Sequence, residues 1–122
     1  MPQEVTIVQT GQIRYSTKII VNVKLDYLPK NLLQSSDCND RCSNVLDGQV
    51  KGGEKPISIK SSYLSGTTYS FSVEVDFGRS YIGLFTLEVR INPEIGDKYF
   101  GNVGTNEVLE VKVNPAYLSK VN

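Results

Sequence analysis

Cys38-Asn39-Asp40-Arg41-Cys42 places two thiols with three residues between them, and these are the only cysteines in the chain. A loop that turns back on itself brings such a pair within disulfide reach. An even cysteine count in a β-rich chain points to an oxidised, extracellular setting. The closed loop would be very small, so it reads as a local clip and not as a staple through the core. Free thiols are the first alternative, and metal or redox chemistry the second. Zinc would need two further ligands, and the chain has no third Cys and no His. A redox pair would favour two intervening residues and a helix start. Asp37, Asn39, Asp40 and Asp47 supply oxygens suited to Ca²⁺, but Asp and Asn populate loops equally well by satisfying nearby backbone groups. The expectation is therefore a disulfide between Cys38 and Cys42, with no metal and no cofactor.

The lack of His removes the usual general base, nucleophile activator and zinc ligand. Lys, Glu, Tyr and Asp remain as candidate bases, yet no paired acid–base or nucleophile–base spacing stands out. An enzyme is not expected. Thirteen Lys and Arg balance thirteen Asp and Glu, so there is no field to gather polyanions and no basic stripe with interleaved aromatics. Nucleic acid is not an expected partner. The longest apolar run, Ile19-Ile20-Val21, is too short to span a bilayer, so a membrane would be reached only through a parent chain. Met1-Pro2-Gln3-Glu4 has no basic segment followed by an apolar one. A mature secreted domain looks the same, so this leaves the compartment open. No Asn-x-Ser/Thr acceptor is present to help.

The elements that must hold these residues follow a period of two. Val5 and Ile7 open a short first strand. Ile19, Val21, Val23, Leu25 and Tyr27 alternate with Ile20, Asn22, Lys24 and Asp26 and predict a central strand. Pro29 and the polar run to Asp47 interrupt the pattern, leaving open a short strand between Ser43 and Val50. After the Gly52-Gly53 turn, Ile57 and Ile59, with Tyr63 as a further candidate, predict another strand, ended at Ser65-Gly66. Tyr69, Phe71, Val73, Val75 and Phe77 form a second clear alternation, stopped by Gly78. Phe85, Leu87, Val89 and Ile91 give a strand over 84–91, and Leu109, Val111 and Val113 give the last one before Asn114-Pro115. Between them, Asn92 to Asn106 reads as a long loop. No segment carries helical spacing with caps. At 122 residues the chain fits one domain over 1–122. At least six strands without helices predict an all-β fold, an antiparallel two-sheet sandwich.

Tyr81-Ile82-Gly83-Leu84-Phe85-Thr86-Leu87, followed by Glu107-Val108-Leu109-Glu110-Val111-Lys112-Val113, resembles strands F and G of an immunoglobulin-superfamily domain of the variable type. In that family a corner Tyr and a disulfide Cys open strand F. Phe85 stands at the Tyr position here, and Leu87 at the Cys. The resemblance puts the other disulfide position at Val23. The family's strand-C Trp has no counterpart, since the chain contains no Trp. The resemblance thus implies an immunoglobulin-like β-sandwich in which Val23, Leu87 and Phe85 pack in place of the cystine. Domains lacking the usual Cys and Trp occur in invertebrate cell-surface allorecognition and adhesion receptors, such as the hydroid ones.

That likeness implies an extracellular, cell-surface recognition domain whose partner is a protein, with the same protein on another cell as one candidate. The F–G loop would then carry Lys98, Tyr99 and Phe100 as contact residues among Gly96, Gly101 and Gly104. Tyr99 and Phe100 folding back over the core edge is the equal alternative. Glu88 and Arg90, like Lys24 with Asp26 and Glu110 with Lys112, mix both signs on one strand face, a pattern that can pair with a rotated copy of itself but is more commonly an ordinary solvated face. A carbohydrate-binding sandwich module, using some of the seven tyrosines, and a structural subunit of a viral or bacterial surface assembly are the alternative functions.

Overall fold

The computed structural model describes residues 5–14, 18–25, 27–79, 83–101, 108–114 and 119–121. Among them run eight strands: β1 (Val5–Arg14), β2 (Lys18–Leu25), β3 (Leu46–Lys51), β4 (Ser58–Tyr63), β5 (Ser70–Asp76), β6 (Phe85–Ile91), β7 (Leu109–Val113) and β8 (Ser119–Val121). They form one sheet in the order β4-β5-β2-β1-β8 and another in the order β3-β6-β7. All neighbours are antiparallel except β8, which runs parallel to β1. Among the described residues the regular structure is mostly β, arranged like a sandwich, and helix is confined to short segments.

Period two builds the core directly. Ile19, Val21, Val23 and Leu25 are all buried, and the register sets Ile19 beside Val75, Val21 beside Val73 and Val23 beside Phe71. In the second sheet Phe85 lies beside Val113 and Leu87 beside Val111. These two inward faces belong to one core cluster. Burying each such side chain contributes about 1.5–3 kcal/mol, and cross-strand apolar pairs add to it.

Several strand expectations are corrected. The first strand is longer than its apolar residues suggest, continuing to Arg14 past a register shift between Val8 and Gly11. Asn114-Pro115 is not the end of strand structure, because β8 follows and is defined by its non-local pairing with β1. Tyr27 does not continue the inward face, since β2 stops at Leu25; it is 52% exposed, its ring edge-on to Tyr69 and Phe100 at 6.5 Å. Ile57 precedes β4 and is exposed, lying over the backbone of Gly78.

The polar segment after Pro29 closes one end of the core. Pro29 starts helix α1 (Lys30–Leu33), its carbonyl accepting from the Leu32 and Leu33 N–H groups. Leu32, Cys42 and Val45 from this segment, with Leu28 just before it, are buried in the core cluster. The stretch expected to be an open loop after β6 is also built. Asn92 Oδ1 accepts from Glu94 N–H at 2.9 Å, Pro93 occupies the first turn, and helix α2 (Pro93–Ile95) passes into a π-helical turn over Gly96–Phe100. Gly101 ends it in the left-handed conformation, φ 63°, as helix ends commonly require. Residues 102–107 of the expected loop, and Tyr81 and Ile82 of the expected corner, lie outside the described residues.

Candidate recognition surface

The cysteine loop is held from three sides. Cys38 and Cys42 have their sulfurs within bonding distance and their Cα atoms 3.8 Å apart. Arg41 and Cys42 both take positive φ, 51° and 54°, a conformation that non-glycine residues hold only when surroundings enforce it. The enforcement is visible in β4: Tyr63 N–H donates to Arg41 O at 2.7 Å, and Ser61 Oγ donates to Ser43 O at 3.2 Å and Leu46 O at 3.4 Å. Ser61 is the buried polar residue of β4, and its hydroxyl is occupied by carbonyls rather than by a base.

The third hold joins this loop to the turn after β6. Ser35 Oγ accepts from Asp37 N–H and so fixes the 3-10 turn Ser36–Cys38. The Asp37 carboxylate then accepts from Tyr99 OH at 2.6 Å and Lys98 Nζ at 2.9 Å. The tyrosine hydrogen bond first, and the lysine second, hold the Asp37 carboxyl below its ordinary range. Lys98 is correspondingly raised, chiefly by its hydrogen bond to Asp37. Lys98 and Tyr99 are thus engaged within the domain, and Phe100 is buried against the core instead of projecting as an anchor. The π-helical turn explains this, because it swings residue 100 inward. Among the described residues, no group of three acidic or cysteine side chains converges as a cation site.

Glu88 and Arg90 lie on the outward face of the β3-β6-β7 sheet. Arg90 stands opposite Asp47, Nε to Oδ2 3.8 Å. Glu88 stands opposite Glu110, a like-charge pair that is unfavourable by itself. Lys51 bridges it, at 3.1 Å from Glu88 and 3.9 Å from Glu110, and Glu88 is the main reason the Lys51 amine is raised. The result is a ladder of alternating sign that reaches the sheet edge at β3.

The edges of β3 and β4 face each other across an open side of the sandwich. A cleft of about 480 Å³ lies there, its rim carrying Asp40, Arg41, Asp47 and Lys60. A second cleft of about 510 Å³ continues along Gly48, Val50, Lys55 and Ser58. Gly48 is set by close approach, since a Cβ there would come within 2.9 Å of Ile59 Cγ2.

No family model, curated protein or solved structure matches this chain. Val23 and Leu87 are fully buried, and Phe85 stacks edge-on with Phe77 at 5.3 Å. Leu87 Cδ1 and Val73 Cγ1 both lie 3.9 Å from the point a Cβ on Gly48 would occupy, which sets Leu87 at the level of Val73 and its strand partner Val21. Sequence reasoning missed Asp37 as a partner of residue 99, Asp47 and Lys51 as members of the ladder, and the β3 edge itself. The Asn92-Pro93-Glu94 signature of a helix start was available for the turn that places Lys98 to Phe100.

Proposed function

We propose that this chain is an immunoglobulin-like recognition domain that acts outside the cell, at a cell surface, by binding another protein. The strand order carries this reading. β4-β5-β2-β1 against β3-β6-β7 corresponds to D-E-B-A against C-F-G, the order of constant-type immunoglobulin sandwiches. It is not the order of the variable type that the sequence of strand G suggests, whose two additional strands beside C have no counterpart among the described residues. In that correspondence Val23 lies on strand B and Leu87 on strand F, where the family carries its inter-sheet cystine. Here both are apolar and buried. The parallel β8 beside β1 is an addition to that order. Fold likeness by itself does not fix a function; the alternating charges on the outer face of the C-F-G sheet supply the surface argument. A sugar-binding reading would call for an aromatic platform, and neither of the two clefts between β3 and β4 has an aromatic among its lining residues.

The test is multivalent display. Beads coated with the domain are expected to cluster with one another or to adhere to cells carrying the parent receptor, and treatment of the beads with protease to abolish it. Selective capture of free glycans without any protein-dependent adhesion would overturn the proposal.

A further inference from the structure

We infer that the partner is a second copy of this chain, docked edge to edge through β3 in one defined antiparallel register. This rests on the protein-recognition reading and names its partner and contact. Among the described residues β3 pairs only with β6 and is an edge strand. Asn92 N–H donates to Val45 O, which fixes the phase of the β3-β6 ladder. With Leu46 paired to Ile91, the residues bonded to β6 are Asp47, Gln49 and Lys51, and the backbone groups of Leu46, Gly48 and Val50 point away from β6. Leu46 O is taken by Ser61 Oγ on the far side, which agrees with this phase and leaves Gly48 and Val50 to pair along this edge. The space beside that edge is open, as the clefts along Gly48 and Val50 show.

Hydrogen-bond phase and charge together select the register. Antiparallel self-pairing must set edge-directed residues against edge-directed residues, so only alternate registers are allowed. Of these, the one centred on Gln49 sets Gly48 against Val50 of the copy, and Asp47 against Lys51 of the copy, twice over by symmetry. Asp47 and Lys51 then fall in a non-hydrogen-bonded pair, where side chains lie closest. The charge ladder of each sheet continues into the other: Arg90, Asp47, then Lys51 and Glu88 of the copy. The register centred on Gly48 brings Asp47 against Gln49, and the one centred on Val50 brings Lys51 against Gln49, leaving these charges without opposite partners across the junction. β4, the other edge facing the cleft, carries Lys60 as its only charge and offers no such complement. Pairing along β3 reverses one domain relative to the other, so their long axes point in opposite directions. That geometry suits chains meeting from opposed surfaces. A contact of this length is small, and gains its strength from repetition across many copies.

Sedimentation and amide exchange test the assignment. The unmodified domain should self-associate reversibly as concentration rises to about 1 mM, with the Gly48 and Val50 amides slowing in exchange as dimer forms. Asp47→Lys and Lys51→Asp should each weaken self-association by at least about tenfold, because each creates two like-charge contacts per dimer. Mixing the two variants restores both ion pairs, so the mixture should form a heterodimer that neither forms alone. Association of the unmodified domain with no change in either variant and no slowing at Gly48 and Val50 would overturn the β3 assignment while leaving self-recognition standing. A monomer at every concentration would overturn self-pairing altogether, and protein-dependent adhesion of coated beads to other cells would show that the broader reading survives.

Discussion

Asp37 shows how one residue can organise an end of this domain. Its carboxylate joins the cysteine loop to a turn sixty-two positions away through Tyr99 OH. The carboxyl is held below its ordinary value of 3.8 by that hydrogen bond and by Lys98, so the contact favours the folded state at neutral pH. Its contribution is lost as pH falls through 3.8 towards the lower folded-state value. Lys98 is raised above 10.5, so its share is full below that value and disappears as pH rises past it. Resonances of 96–101 should therefore shift on acidification in the native protein, and Asp37→Asn should remove that acid-side step while leaving the core strands unchanged. Gly48 is the second such residue. Alanine there presses on Ile59 at 2.9 Å, and is expected to lower stability by about 1–3 kcal/mol, as overpacking does, measurable by urea unfolding. Neither role was legible in the sequence: the Asp37 contact is long-range, and the glycine is explained only by the sheet that approaches it.

At the scale of elements, β2, β5, β6 and β7 were legible because each carries an apolar residue at every second position against one core. β3 has Gly48 and Gln49 where a central strand would carry bulk, and being an edge strand it needs less burial to persist. β8 spans three residues and owes its existence to β1, so no local pattern announces it. The segment after β6 illustrates a different failure. Asn92-Pro93-Glu94 carries a cap, a helix-starting proline and a first-turn carboxylate, yet the glycines around it favour a loop reading. Removing the cap tests whether that short helix positions residues 98–100. Asn92→Ala should cost about 1 kcal/mol, and Tyr99 should lose its hold on Asp37, seen as loss of the acid-side shift in the 96–101 resonances.

For the whole molecule, the question is what joins the two sheets. In the immunoglobulin-like correspondence a cystine normally spans them, whereas here the cysteines lie four positions apart and close only their own loop. That loop is also tied by Tyr63 to Arg41, Ser61 to Ser43 and Tyr99 to Asp37, so opening the disulfide releases little that other contacts do not already hold. The sheets themselves rest on the apolar layer of Val21, Val23, Val73, Leu87 and Val111, all nearly or fully buried. Domains of this size are stable by only about 5–15 kcal/mol, and truncating a fully buried Leu removes about 2–5 kcal/mol of it. Leu87→Ala should therefore lower the melting temperature by roughly 10 °C or more, while reduction of Cys38–Cys42 should move it far less. Calorimetry on the oxidised, reduced and Leu87→Ala forms separates the two contributions. A larger loss on reduction than on truncation would mean that the small loop, and not the packed layer between the sheets, governs the stability of the fold.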